Sequence, residues 1–287
     1  MATFYNQATL SYNGTVTSSN ITTGEILEVL AASKNSVTGS YTSDSEEVFV
    51  ISLVNNGASC LENITVTDDL GAYQFGPEGA EMTVVPMTYT EGSMSCYVNG
   101  ILQAAPVISS LSPLTVTGIN VPAGGNTALI YAAKTNQFAP LGENASIVNT
   151  AVMSGTGFSD VSASATLVPA EGADLAISKS LSPTAVEENG QVTYTFIIQN
   201  FGSTAADVSD NVIFNDIFAP ALSNLRAEFN GAVWAAGTNY TYEETTGAFT
   251  TLEGQITVPA AQFTQDASTG AWSVQPGVST LIITGNI

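Results

Sequence analysis

The chain has 287 residues, enough for two domains of ordinary size, each with its own core. Thr, Ser, Val, Asn and Gly dominate, only 10% of residues are charged, and apolar runs alternate with Asn/Gly turns, which reads as an all-β protein. With 4 Lys+Arg against 25 Asp+Glu the net charge is -21, which argues against nucleic acid and anionic membrane as partners.

Residues 1–26 carry two expected strands, Thr3 to Tyr12 and Val16 to Thr22, separated by Asn13-Gly14, the strongest short hairpin signal. The segment is too short to bury its own apolar face, so it is expected to pack on something else. Residues 27–168 form a first repeat. Lys34 ends its opening strand, Tyr41-Thr-Ser-Asp-Ser-Glu-Glu is a polar connection, and the apolar strand Val48 to Val54 is turned by Asn55-Asn-Gly57. Asn63 to Asp69 alternates as a half-buried strand should. Short strands follow near Met82 to Tyr89, Ser95 to Gln103, Leu114 to Val121 and Thr127 to Ala133, and a finishing strand, Ser146 to Ser154, comes last. Evenly spaced short strands with turn signals argue for a Greek-key sandwich. Val168 to Asp174 reads as a short linker.

Residues 169–287 repeat the theme. Lys179 stands where Lys34 stood, 145 residues earlier, and Tyr194 to Gly202 matches Phe49 to Gly57. Asn211 to Asp216 matches Asn63 to Asp68 at an offset of 148, and Asn230-Gly231 and Pro276 to Ile283 match Asn99-Gly100 and Pro122 to Ile130. In this register the stretch from Thr135 to Gly157 has no second copy. Its finishing part, Asn149-Thr-Ala-Val-Met-Ser-Gly-Thr-Gly157, aligns without a gap on Asn6-Gln-Ala-Thr-Leu-Ser-Tyr-Asn-Gly14.

The main expectation follows from that alignment. The N-terminal strand of one subunit, carrying Phe4, Asn6, Ala8, Leu10 and Tyr12, completes the C-terminal domain of the next. An unpaired sheet edge recruits a strand, which supplies hydrogen bonds and fills the groove with alternate side chains. Burying about six apolar side chains at roughly 1.5 to 3 kcal/mol each gives gross stabilisation on the order of 10 kcal/mol. Donor and acceptor are different surfaces, so the contact is heterologous and propagates as a fibre. The competing expectation is that residues 1–26 fold back onto their own first domain.

Ala173-Asp-Leu-Ala-Ile-Ser-Lys-Ser-Leu-Ser-Pro183, followed by Tyr194 to Gly202 and Asn211 to Asp216, resembles the conserved repeat of bacterial surface proteins called domain of unknown function 11. Ile147-Val-Asn-Thr-Ala-Val resembles that family's closing strand. The resemblance implies two tandem immunoglobulin-like sandwiches, a structural role with no reaction attached, and an extracellular place at a bacterial cell or spore surface. The expected partners are further copies of the chain and a surface or spore-coat anchor protein, with no membrane insertion and no cofactor. No charged-then-apolar signal segment opens the sequence, and no apolar run approaches the roughly 20 residues of a membrane helix. The expectation is therefore either a signal already removed or release from a lysing cell, as around a bacterial spore.

Histidine is absent, which removes the usual general base and the commonest metal ligand, and no phosphate loop, nucleophile elbow or cysteine knuckle is present. An enzyme is not expected. Lys34 and Lys179, two of three lysines, hold the same place in each repeat. Surface proteins with related sandwiches sometimes join such a lysine to an asparagine of the closing strand, assisted by a buried carboxylate, using an amine whose pKa burial has lowered. The groups would be Lys34, Asn149 and either Asp68 or Glu47 in the first repeat, and Lys179, Asp216 and the next subunit's Asn6 in the second. The alternative is a pair of salt bridges, Lys34 to Asp68 and Lys179 to Asp216. Cys60 and Cys96 are either a disulfide within the first repeat or two free thiols. Asp68, Asp69, Asp207, Asp210 and Asp216 lack calcium-loop spacing and read as solvated acidic loops, so no metal is expected. A second functional reading is an adhesin whose aromatics near Trp234, Tyr240, Tyr242 and Trp272 form a binding face.

Overall fold

The computed structural model describes residues 2–26, 28–142 and 144–287. It is all-β, with two compact units meeting in sequence at Val168 and Pro169. Among the described residues no helix is long and apolar enough to cross a membrane.

The first unit begins with a freestanding hairpin. β1 (Ala2–Asn6) pairs antiparallel with β4 (Thr22–Ile26), and β2 (Thr9–Tyr12) pairs with β3 (Thr15–Ser18). The turn is Asn13-Gly14 at φ 49° and 78°, the positive-φ pair that a two-residue turn matched to strand twist requires. Midway the ribbon is held by Ala8 and Ser19, whose backbone and hydroxyl groups bond each other at 2.8 and 3.0 Å. The hairpin pairs with no other described strand, so the expectation that it would fold back as extra strands of the first sandwich is not met. Its apolar side chains stand in solvent: Phe4 is 54% exposed, Leu10 66% and Tyr12 74%.

The first sandwich follows. Its strands are β5 (Leu30–Ser36), β6 (Ser40–Tyr41), β7 (Glu46–Asn55), β8 (Leu61–Asp68), β9 (Tyr73–Phe75), β10 (Met82–Val84), β11 (Met87–Tyr89), β12 (Ser95–Val98), β13 (Ile101–Leu102), β14 (Val107–Leu111), β15 (Leu114–Val121), β16 (Asn126–Thr135), β17 (Ile147–Ser154) and β18 (Val161–Pro169). One sheet runs β13-β12-β16-β7-β5, with β11 also on β16, and the other runs β14-β15-β8-β17-β18-β6. Period-two burial turns Phe49, Ile51 and Leu53 of β7 and Ile64 and Val66 of β8 into one core. The finishing strand anticipated at Ser146 to Ser154 is β17, but it is not last. β18 pairs beside it from Ile147 opposite Leu167 to Met153 opposite Val161, and takes in part of the stretch read as a linker. Pro86, which has no N–H to give a ladder, interrupts the strand expected from Met82 to Tyr89.

The second sandwich contains β19 (Leu175–Ser182), β20 (Gln191–Asn200), β21 (Asn215–Ile217), β22 (Ser223–Phe229), β23 (Ala232–Trp234), β24 (Tyr240–Glu243), β25 (Ala248–Thr251), β26 (Gln262–Gln265), β27 (Trp272–Gln275) and β28 (Gly277–Asn286). One sheet is β19-β20-β28-β22-β23. It shares a core with a short sheet, β21-β25-β24, through Phe196, Phe214, Phe218, Phe249 and Leu281. β26 and β27 form a separate hairpin. The fold class is thus two immunoglobulin-like β-sandwiches in tandem, with the second carrying the smaller of its sheets as three strands.

Candidate functional site

The two sandwiches hold the same ion pair in contrasting surroundings. In the first, β5 lies beside β7 with Lys34 opposite Ile51, and the lysine points inward because its strand buries Leu30 and Lys34 four residues apart. Lys34 Nζ meets Asp68 Oδ2 at 2.6 Å, and Tyr131 Oη donates to the same oxygen at 2.6 Å. Asp68 Oδ1 accepts from the Leu70 amide at 3.0 Å. β17 closes the cluster: Asn149 Nδ2 donates to Tyr131 Oη at 3.0 Å, and Asn149 Oδ1 is buried without a hydrogen-bond partner. The lysine and aspartate side chains are 0% and 2% exposed.

Burial dominates the electrostatics. It lowers the Lys34 pKa against the opposing pull of Asp68, and raises the Tyr131 phenol well above its ordinary value, with Asp68 adding to the rise. The ammonium lies 5.2 Å from the Phe49 ring centre and 5.9 Å from that of Tyr131. Glu47, the other carboxylate considered for this cluster, is engaged elsewhere, by the hydroxyls of Thr38 and Ser45.

In the second sandwich Lys179 Nζ again meets Asp216 Oδ2 at 2.6 Å, but the side chains are 43% and 19% exposed. Three aromatic rings underlie the ammonium, Tyr194, Phe196 and Phe218, at 4.8 to 5.4 Å. Unlike Lys34 and Asp68, this pair is partly open to solvent. In the first sandwich β8 lies between β15 and β17, whereas β21, which carries Asp216, pairs with β25 alone. By register the position of Tyr131, opposite Phe49, is taken by Ile283, opposite Tyr194.

The missing neighbour leaves an apolar row uncovered. Leu30 and Tyr41 of the first sandwich are 3% and 1% exposed, while their counterparts Leu175 and Val186 are 38% and 36%. Ile177 and Leu181, flanking Lys179 on the same face of β19, are 56% and 36% exposed. The site is therefore an open flank: a free sheet edge on β21, an inward-facing row on β19, and an ion pair between them. Contiguous apolar surface beside unpaired backbone is the arrangement that accepts an added strand.

The residues expected to form a site divide as follows. Lys34, Asp68 and Asn149 are brought together, and Lys179 and Asp216 are brought together. Phe4, Asn6, Ala8, Leu10 and Tyr12 lie on the N-terminal hairpin, which pairs with none of the other described strands. Cys60 and Cys96 are free thiols, so the disulfide is not made: Cys60 is exposed ahead of β8 in one sheet, while Cys96 is buried on β12 in the other. Of the aromatics read as a binding face, Tyr240 alone is buried, and Trp234, Tyr242 and Trp272 are half-buried. Tyr240 is buried and stacks on Phe249 at 4.8 Å, Trp234 stacks on Phe229 at 5.0 Å, and Tyr242 Oη bonds the Leu222 backbone. The acidic residues hold turns, with Asp69 accepting from the Gly71 and Thr150 amides and Asp207 capping the 3-10 turn Val208–Asp210. Sequence reasoning missed Tyr131 and the exposed row of Leu175, Ile177 and Leu181. The repeat alignment could have flagged the row, since it pairs Leu175 with Leu30.

No family model and no curated protein matches the chain. Among solved structures it is similar to the major pilin subunit of Bacillus cereus, at 10% identity and a TM-score of 0.34, covering 94% of this chain and 70% of that one. It is similar to the pilus backbone from Streptococcus pneumoniae at 11% identity and a TM-score of 0.34, over 86% of this chain and 55% of that one. It is also similar to the sporulation control protein of Bacillus subtilis, at 8% identity and a TM-score of 0.31, over 61% of this chain and 75% of that one. Likeness this distant carries no functional argument.

Proposed function

We propose that the protein is a structural subunit of an extracellular bacterial fibre, pilus-like or a spore appendage, which assembles head to tail by placing residues 1–26 of one chain on the open flank of the second sandwich of the next. The observation that carries this reading is the difference between the two sandwiches at one position. The strand β17 covers Lys34 and Asp68 in the first, and β21 has a free edge in the second. The N-terminal hairpin supports it from the other side, because its stretch from Asn6 to Gly14 matches β17 in sequence and exposes Phe4 and Leu10. Six apolar side chains, Phe4, Leu10, Leu175, Ile177, Leu181 and Val186, would leave water on joining, a gross gain on the order of 10 kcal/mol before ordering costs. The function is structural, with no catalysis. The test is negative-stain microscopy of the whole chain beside one lacking residues 1–26. Fibres from the first and monodisperse particles from the second are expected; monodisperse particles from both sink the reading.

The buried lysine cluster supports a second proposal within this function, because the Lys34 amine, the Asp68 carboxylate and the Asn149 amide share one desolvated pocket through Tyr131. The neutral Lys34 amine attacks the Asn149 carboxamide carbon, a C–N bond forms, Asp68 relays the proton and ammonia leaves. The same chemistry at Lys179, Asp216 and the incoming Asn6 would weld the fibre. Intact-mass measurement reads one ammonia lost per bond, and an unshifted mass leaves both pairs as salt bridges.

A further inference from the structure

The strand β17 does not close the first sandwich alone; it does so as one arm of the β17–β18 hairpin, and the N-terminal hairpin has the same internal register. In β17–β18 the pairs are Ile147 with Leu167, Val148 with Thr166 and Asn149 with Ala165. Subtracting the alignment offset, 149 − 6 = 143, from both members gives 4 with 24, 5 with 23 and 6 with 22. Those are the observed pairs Phe4 with Gly24, Tyr5 with Thr23 and Asn6 with Thr22. Sequence similarity along one strand does not require this agreement across two. Past Ala8 and Ser19 the ribbon slips by one residue, pairing Thr9 with Ser18.

The burial pattern of the template names the face to be buried. Ile147, Asn149, Ala151 and Met153 are each no more than 1% exposed, and they correspond to Phe4, Asn6, Ala8 and Leu10. The Phe4 ring lies against Gly24 across the ribbon, leaving no room for a side chain at residue 24. The partner strand therefore does not obstruct that face where the bulkiest donor side chain sits.

The first sandwich also supplies the register of the joint. β17 meets β8 with Ala151 opposite Asp68, Val152 opposite Thr67 and Met153 opposite Val66. Carrying the β8 residues forward by 216 − 68 = 148 and the β17 residues back by 143 gives Ala8 opposite Asp216, Thr9 opposite Asn215 and Leu10 opposite Phe214.

We propose that residues 1–26 dock as a closed hairpin and not as a single strand, with β1 and β2 lying between the acceptor's β21 and the donor's own β3 and β4, in the register of β17–β18. This inference rests on the head-to-tail reading above. Asn6 then stands over the Lys179–Asp216 pair as Asn149 stands over Lys34 and Asp68, and its amide meets the ion pair directly because Ile283 offers no phenol between them. A preformed ribbon brings its backbone bonds already made, so less ordering opposes assembly than for an extended peptide.

Cysteine pairs test it in a chain whose exposed Cys60 is replaced by serine, with the buried Cys96 left in place. Thr9→Cys with Asn215→Cys, both exposed positions, should give a covalent ladder on oxidation. Thr9→Cys with Ile217→Cys, two residues out of register, should cross-link at least about tenfold less, since a disulfide cannot span Cα atoms more than about 7 Å apart. Tyr5→Cys with Thr23→Cys, directly opposite in the hairpin, locks it shut and should leave fibre yield unchanged. Fibres whose ladder forms only through position 217 overturn the register. Fibres from the reduced 5–23 variant but not from the oxidised one overturn the closed hairpin and favour a single inserted strand. Absence of fibres from the parent chain overturns the head-to-tail reading itself, and this inference with it.

Discussion

Two lysines at equivalent positions answer differently to the same substitution. Lys34 is sealed against Asp68, and removing one partner of a buried pair strands the other charge, at about 3–5 kcal/mol. Lys34→Ala should lower the denaturant midpoint of the first sandwich accordingly. Lys179 is 43% exposed, so in the unassembled chain Lys179→Ala should cost less than about 1 kcal/mol. On our reading the same change strands Asp216 inside the joint and should reduce fibre yield sharply, a contrast visible by running unfolding and sedimentation on one sample. The phenols predict alkaline behaviour. Burial raises the pKa of Tyr41 and Tyr131 above the ordinary value near 10, so above that pH the unfolded state releases protons that the folded state keeps. Stability should fall as pH climbs past about 10, and tyrosinate absorbance should appear in two phases, the second coincident with unfolding. Lys34, whose pKa is lowered, acts in the opposite direction, as one group against several raised tyrosines. Both ion pairs were legible from the repeat because lysine is scarce and recurs in register with aspartate. Tyr131 was not, since its role depends on a strand ninety-odd residues from Lys34 and the second repeat replaces it with isoleucine. A disulfide was one reading of the two cysteines, but both are free thiols, Cys60 exposed just ahead of β8 and Cys96 buried on β12.

Among elements, the N-terminal hairpin is the one whose strength is easiest to alter. An isolated two-stranded ribbon is marginal in water, so its turn contributes a large share of its order. Gly14 sits at φ 78°, and a β-branched residue there is strained by about 1–3 kcal/mol. Gly14→Val should therefore lower the assembly constant by about five- to 150-fold, read by sedimentation, while leaving the melting of both sandwiches in place. The turn was legible because Asn-Gly has one dominant use between alternating strands. Asn99-Gly100 and Asn230-Gly231 adopt the same positive-φ pair between β12 and β13 and between β22 and β23. β18 was not anticipated even though Val161, Ala165 and Leu167 alternate with Ser and Thr. Small alanines dilute its apolar signal, and its identity as a strand comes from pairing along all of β17. The free edge of β21 was legible only by subtraction, as a stretch that one repeat has and the other lacks.

At the scale of the whole molecule, charge sets the conditions for joining. Each chain carries -21, so neighbouring subunits repel, and the repulsion reaches about 30 Å in 0.01 M salt but about 8 Å at 0.15 M. Fibre growth should accelerate as ionic strength rises over that range, followed by light scattering; growth that slows with salt would point to attraction between unlike patches as the driving force instead. In the joint we propose, the two partners are different surfaces, the N-terminal hairpin and the open flank of the second sandwich, so joining would use one of each and leave one of each. A growing assembly then has two unlike tips, one presenting an unclaimed ribbon and the other an unfilled edge. Elongation can run at unequal rates at the two tips, and a protein that fits only one of them would halt growth there without touching the other. On the proposed assembly, the open flank beside Asp216 would thus give the fibre a direction and a means of setting its length.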